Sequence, residues 1–294
     1  MMKIVITGSE GFVGQELIRE CQKQKIDVLG IDIKKGSNLD YEFRAGDIRS
    51  AGFSDLVPEG IDAIVHLAAL SRDPDCKNRA YECFDMNVMG TLNVMKTTMA
   101  KKARQLIFAS TEWVYGNFKE REIKSEDSFI NIAELTSEYA LSKIVSEANL
   151  RQQYQRGLCP TTILRFGIIY GPRKNNWSAV ESILSSVKNN NEVSVGSLKT
   201  GRCFIHISDI AKGIIKSIGL DGFNIIGLEG NSLITLGDII KTGQLILNKN
   251  VRVIESDFSK MSLRNISNEK AKKILGWHPE MNLEEGLKTL LPFI

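Results

Sequence analysis

Ile4-Val5-Ile6-Thr7 runs directly into Gly8-Ser9-Glu10-Gly11-Phe12-Val13-Gly14, and an amphipathic segment follows at once. A short uncharged apolar run, a turn with glycine at every third position and a helix-period segment read together as strand, turn and helix. Glycine permits the tight turn and lets a ligand's pyrophosphate come close to the backbone, while the helix amino terminus offers unpaired N–H groups to an anion. An ordinary strand–helix turn would also use such glycines, so the rest of the chain has to distinguish the two.

Short apolar runs alternate with longer amphipathic segments through the first half, which predicts a parallel sheet covered by helices. Strands are expected at Lys3-Thr7, Asp27-Ile31, Ala63-Leu67, Gln105-Ala109 and Thr161-Arg165, and helices near Phe12-Lys23, Tyr81-Ala100 and Ser137-Gln155. Continuous apolar stretches such as Ala63-Ile64-Val65-His66-Leu67 suit strands buried on both faces. The fold class is α/β, a Rossmann-type doubly wound parallel sheet followed by a smaller, irregular carboxyl-terminal lobe. After Gly171-Pro172-Arg173 the alternation weakens, with polar stretches at Lys174-Asn175-Asn176 and Lys188-Asn189-Asn190-Asn191. The expected division is therefore residues 1–170 against 171–294, with part of 203–222 returning to the first domain.

Composition removes several classes of function. The formal charge of +3 is interspersed, so no basic face argues for nucleic acid. The five cysteines are scattered without a Cys-x-x-Cys pair, and the three histidines lack ligand spacing, so neither a disulfide framework nor a metal site is expected. The amino terminus shows no signal peptide and no spanning segment, and the expected location is the cytoplasm, away from membranes.

Asp32 closes the second expected strand 18 residues beyond Gly14. That is close to the offset of about 20 at which an acidic residue receives the adenosine ribose of a dinucleotide. A carboxylate there accepts hydrogen bonds from ribose hydroxyls and repels a 2′-phosphate, which favours NAD over NADP; Lys34 and Lys35 pull the other way. Asp47 and Ile48 stand where they would meet the adenine edge, or Asp47 is a solvated loop aspartate. Tyr139 and Lys143 lie four residues apart in a helical stretch and so share a face. A cation beside a phenol favours the phenolate and is expected to lower its pKa, making Tyr139 a candidate base for a sugar or alcohol hydroxyl.

The motifs extend along the whole chain: Gly8-x-x-Gly11-Phe12-Val13-Gly14, His66-Leu67-Ala68-Ala69, Asn87-Val88-x-Gly90-Thr91, Ser110-Thr111-x-x-Val114-Tyr115-Gly116 and Tyr139-x-x-x-Lys143. They continue with Leu164-Arg165-x-x-x-x-Tyr170-Gly171-Pro172, Arg202-x-Phe204-Ile205-His206-Ile207-x-Asp209-Ile210-Ala211 and Lys270-Ala271-x-x-x-Leu275-Gly276-Trp277-x-Pro279. In this order and spacing they resemble the extended short-chain dehydrogenase/reductases, specifically the NAD-dependent nucleotide-sugar epimerase/dehydratase family. The resemblance implies a proton exchange at Tyr139, a nicotinamide ribose held by Lys143 and a substrate oxygen bonded by Thr111. It implies that Gly8, Gly11, Phe12, Val13, Gly14, Leu67, Ala68 and Ala69 line the cofactor, and that Arg202 pairs with the nucleotide diphosphate of the substrate. It also implies a homodimer packed through the helices near Tyr81-Ala100 and Ser137-Gln155.

Some positions keep two readings. Ala68 and Ala69 are small either because the cofactor passes close or because a strand end is buried. Asn87 either positions the catalytic lysine or packs inside a helix, while His206, Asp209 and Trp277 read as structural. Relatives that eliminate water carry an Asp-Glu pair after the catalytic threonine, and here the chain has Glu112-Trp113. Trp113 cannot abstract a proton. Glu112 either protonates or orients substrate, or is a buried polar residue bonding the backbone. Ile168 stands where many nucleotide-sugar enzymes have an asparagine. The expected activity is an NAD-dependent nucleotide-sugar epimerase acting at C4 through a transient 4-keto sugar. The alternatives are a keto-sugar reductase or dehydrogenase, an atypical sugar dehydratase, and a non-catalytic dinucleotide sensor.

Overall fold

A computed structural model of the protein describes residues 2–36, 40–175 and 177–294; Asn176, in one of the polar stretches noted above, lies outside the described residues. The chain forms two compact units.

The first unit comprises the chain up to Asn117 together with Ser128–Arg165 and Ala211–Ile226. The seven-stranded sheet contains β1 (Lys3–Thr7), β2 (Asp27–Asp32), β3 (Glu42–Ala45), β4 (Ala63–His66), β5 (Leu106–Thr111), β6 (Thr161–Phe166) and β7 (Phe223–Leu228), in the order β7-β6-β5-β4-β1-β2-β3. β1 pairs in parallel with both β2 and β4. The winding therefore reverses at β1, and in open α/β sheets ligands bind in the crevice at the strand ends where this happens. Every residue of β4, β5 and β6 is buried, which is why apolar residues run consecutively through them rather than alternating, with His66, Ser110, Thr111, Thr161, Thr162 and Arg165 enclosed as well. β3 lies at the sheet edge and mixes Glu42 and Arg44 with half-buried Phe43, a composition that discourages further strand pairing.

Helix α1 spans Phe12–Lys23, as its periodicity predicts. The helical stretch near Tyr81-Ala100 contains a wide π turn at Asp85–Met89 before α2 (Gly90–Ala100). Such turns cost regular hydrogen bonding and concentrate at functional sites. Helix α3 (Glu138–Gln155) is capped by Ser137, whose hydroxyl accepts from the Ala140 N–H at 3.3 Å. Its buried face is largely polar, with Tyr139, Ser142, Lys143, Ser146 and Glu147 inside. A polar inward face is costly unless each group finds a partner.

The second unit comprises Phe118–Asp127, Phe166–Ile210 and Gly227–Ile294. Tyr170, Val180, Leu184, Phe204, Ile239 and Leu287 share its core. Its helices Ala179–Asn189 and Leu236–Leu247 each begin with a reciprocal capping box, Ser178 with Glu181 and Thr235 with Asp238. Its four-stranded sheet uses strands of only two to four residues, Ile123–Lys124, Gly201–Arg202, Ile234–Thr235 and Leu263–Ile266. Runs this short leave little periodicity to read. Among the described residues, no helix is long and apolar enough to cross a membrane, and no group of three or more His, Cys, Asp or Glu side chains could hold a metal ion.

Candidate active site

The glycine turn after β1 packs against the loop after β4. Gly8 adopts φ +74°, and a Cβ on it would lie 2.7 Å from the Ala68 nitrogen. Gly14 is equally constrained, since its Cβ would fall 2.3 Å from the Gly8 carbonyl oxygen and 2.7 Å from that of Ser9. These glycines hold the turn in close contact with both α1 and the β4 loop. Gly11 is the N-cap of α1 and contributes no side-chain capping bond, so the head of the helix has the features of an anion site. Phe12 and Val13 are half-buried in its first turn. Leu67 donates its N–H to the Thr7 carbonyl at 3.1 Å, and Ala68 and Ala69 are half-buried beside it, not enclosed as a sealed strand end would be.

Beneath this loop, His66 is clamped between Thr7 Oγ1 at 2.8 Å and Thr91 Oγ1 at 3.0 Å. Complete burial pushes its pKa down to about 3, reinforced by the charge of Lys143, so the ring stays neutral and joins β1, β4 and α2. The Asp32 carboxylate accepts main-chain N–H groups from Glu10 at 3.0 Å and Lys34 at 3.1 Å, which fixes it beside the glycine turn. Asp47 is clasped by the Arg49 guanidinium, with a closest approach of 2.6 Å, and Arg49 reaches on to Asp85 at 2.8 Å. Those bonds hold the Asp47 carboxyl below its ordinary range. Ile48 is buried, and its side chain fills the space that a Cβ on Gly90 would need.

Thr111 ends β5 and caps a 3₁₀ turn, Glu112–Tyr115, by accepting the Trp113 N–H at 3.3 Å. Glu112 is buried in that turn, whereas Trp113 is 39% exposed. Tyr139 and Lys143 are both buried on α3. The Lys143 ammonium donates to the Ala109 carbonyl at 2.8 Å and sits 4.7 Å from the Phe108 ring centre and 5.9 Å from that of Tyr139. Burial pulls the Lys143 pKa down to about 8, while the neighbouring acidic side chains of Cys83, Cys76 and Glu147 work in the other direction.

The Tyr139 pKa is raised, not lowered as the spacing of the pair predicts. Burial dominates and pushes the phenol well above its ordinary value, while a hydrogen bond with Thr111 works in the other direction. An ammonium on the adjacent helical turn does not by itself produce the phenolate, because a buried anion costs more than this cation returns.

Asn87 projects from the π turn and joins three segments. Its Oδ1 accepts the Leu70 N–H at 2.8 Å, and its Nδ2 donates to the Leu70 carbonyl at 3.0 Å and to Ser142 Oγ at 2.9 Å. It thereby ties the β4 loop to the helical turn that carries Lys143. Sequence reasoning missed the group below them. Glu147 accepts Ser110 Oγ at 2.5 Å, Arg165 Nε at 3.1 Å and Arg165 Nη2 at 2.7 Å, with Glu147 and Arg165 both buried. The signal was present, since Glu147 follows Lys143 by four residues and Tyr139 by eight.

Within the second unit, Arg202 donates to the Gly201 carbonyl at 2.8 Å, the Ser262 carbonyl at 2.6 Å and Ser262 Oγ at 3.3 Å. Ile168 packs on that unit's apolar core. His206 meets Ser208 at 2.8 Å and Thr289 at 3.2 Å, and the buried Trp277 donates its indole N–H to the Asp209 carbonyl at 3.1 Å.

A doubly wound sheet with a glycine cradle at its winding reversal defines a dinucleotide-binding protein of the Rossmann class. Residues 4–222 match the model of the NAD dependent epimerase/dehydratase family, and the chain belongs to that family. Its cofactor is NAD, and the glycine cradle with its uncapped helix head suits a dinucleotide. The chain is 27% identical to an uncharacterized UDP-glucose epimerase, YtcB, of Bacillus subtilis over 100% of its length and 98% of the relative's. It is 26% identical to the UDP-glucuronate 4-epimerase of Thermodesulfobacterium geofontis, covering 97% of this chain and 93% of that one. Relatives named as a decarboxylase and a 4,6-dehydratase match at 25% and 26% identity. Among solved structures, MoeE5 in complex with UDP-glucuronic acid and NAD superposes with a TM-score of 0.86 at 21% identity, covering 99% of this chain and 98% of that one. At that identity the likeness establishes the fold.

Proposed function

We propose that this protein is a nucleotide-sugar 4-epimerase. The observation that carries the reading is the turn Thr111-Glu112-Trp113. It places a hydroxyl beside Tyr139, but at the position where relatives that eliminate water are expected to carry the second carboxylate of their Asp-Glu pair it presents an indole. Such a site can exchange a proton with a sugar hydroxyl and has no elimination base there.

On this reading the first unit holds NAD through Gly8, Gly11, Phe12, Val13, Gly14, Asp32, Asp47, Ile48, Leu67, Ala68, Ala69 and Asn87. The second unit receives the nucleotide diphosphate at Arg202. Hydride exchange with a sugar carbon is the chemistry that NAD supplies when bound. Tyr139 takes the proton of the C4 hydroxyl as the ketone forms and returns it after the sugar presents its other face. Thr111 orients the same oxygen, and Lys143 stabilises the phenolate and holds the nicotinamide ribose. Glu112, buried in the turn, orients the sugar. The raised Tyr139 pKa makes the positive charges of Lys143 and the oxidised nicotinamide necessary, because the phenol alone holds its proton firmly.

The test is to supply purified protein with UDP-sugars and no added cofactor, following C4 inversion by proton NMR. The expected result is interconversion, with Tyr139→Phe slower by about 10²–10⁴-fold. Turnover only with stoichiometric added cofactor would assign a reductase or dehydrogenase instead, and unchanged turnover in Tyr139→Phe would remove Tyr139 from the chemistry.

A further inference from the structure

We propose that Glu10, held by Tyr41 beside Asp32, is a specificity-determining residue that keeps 2′-phosphorylated dinucleotides out of this chain. The inference rests on the placement of the adenosine ribose at Asp32 proposed above.

Glu10 occupies the turn between Gly8 and Gly11. Its own N–H donates to Asp32 Oδ2 at 3.0 Å, so the two residues adjoin at the head of α1. Its carboxylate accepts a short hydrogen bond from the Tyr41 phenol, which also meets Ser9 Oγ at 3.4 Å. Tyr41 is itself seated by β2. A Cβ on Gly30 would lie 2.4 Å from Tyr41 Cε2 and 2.7 Å from Ser9 Oγ. A glycine in the middle of a buried strand weakens it, and here its absent side chain is what admits the Tyr41 ring. Gly30, Ser9 and Tyr41 thus form a support whose polar end is aimed at Glu10. The phenol registers both acidic groups: burial first, then the Glu10 bond and the charges of Glu10 and Asp32, push its pKa up to about 12.

A 2′-hydroxyl on the ribose donates a hydrogen bond to Asp32 and is indifferent to a second carboxylate nearby. A 2′-phosphate carries about two negative charges and has nothing to donate. It would face two carboxylates at once, one pinned by main-chain N–H groups and the other by a phenol. Lys34 and Lys35 are exposed and screened by solvent, so their attraction for a phosphate is the weaker influence.

The experiment is a competition in which the protein is equilibrated with NAD and NADP mixtures and the bound fraction of each is read by native mass spectrometry. Glu10→Gln keeps the shape and an acceptor for Tyr41 while removing the charge. It is expected to shift the competition toward NADP by about tenfold at low ionic strength, and the shift should shrink as salt is raised. Glu10→Ser, measured alongside, should shift it in the same direction. Tyr41→Phe keeps the ring and the carboxylate and should shift it less. A wild-type ratio in both Glu10 variants would overturn the proposal, as would a parallel loss of NAD and NADP. Asp32→Asn checks the placement: unchanged NAD binding there would overturn the ribose position and the role of Glu10 with it. These readouts involve no sugar and no turnover, so failure of the epimerase reading leaves them standing.

Discussion

Glu147→Leu should unsettle the floor of the site more than any surface change. The carboxylate receives a two-pronged bond from Arg165, at 3.1 and 2.7 Å, and a hydroxyl from Ser110 at 2.5 Å, and Arg165 is only 3% exposed. Leucine fills much of the volume but leaves the guanidinium buried without its counter-ion. Removing one partner of such a pair costs about 3–5 kcal/mol, because the surviving charge keeps its desolvation penalty and loses its compensation. In a chain of this size each kcal/mol lowers the melting temperature by about 2–4 °C, so the drop should be about 6–20 °C. The assay is calorimetric melting at pH 7 of the wild type, Glu147→Leu, Arg165→Met and the double variant. The double variant should recover much of the loss, since it removes both buried charges, and the coupling should be large. A Glu147→Leu variant that melts within about 3 °C of the wild type, less than about 1.5 kcal/mol, or a double variant that loses the sum of the single changes, would show that Arg165 does not depend on this carboxylate.

Lys143, drawn down to about 8 by burial from a reference of 10.5, gives up its proton before the unfolded chain does. Between those values the unfolded state binds more protons, so folding stability contributed at this residue rises with pH from about 8 to 10.5, and below 8 the full cost of the buried charge is present. Subtracting the pH–melting profile of Lys143→Met from that of the wild type should reveal this rise; parallel profiles would contradict it. Gly14→Ala would drive a Cβ to 2.3 Å from the Gly8 carbonyl, and the required backbone shift should cost about 1–3 kcal/mol and deplete co-purified NAD. Melting temperature and the nucleotide absorbance of purified protein measure both, and an unchanged pair of values would show that the turn does not need glycine at that position.

Much of the first unit was legible because its physics is local. Lys3–Thr7 and Phe12–Lys23 fall where periodicity places them, and the other expected strands shift by only one or two residues at their ends, since a strand buried on both faces shows in the sequence as a mainly apolar run. The second unit was harder to read, because two-residue strands such as Gly201–Arg202 and Ile205–His206 carry no period. The Phe118–Asp127 segment gives no local sign that it belongs there.

Sequence alone determined the glycine cradle, the acidic residue closing β2 and the helical spacing of Tyr139 and Lys143, because each depends on residue type and short-range geometry. Tertiary structure decided how those groups behave. It raised the Tyr139 pKa where a neighbouring cation predicts lowering, because burial depends on what the whole chain packs around the ring. It brought Arg165 to Glu147 across 18 residues, joined the β4 loop to α3 through Asn87, and seated Tyr41 in the gap left by Gly30 to hold Glu10. Pairings of that kind satisfy buried charges and polar groups at long separation, and only the folded chain brings such partners within hydrogen-bond distance.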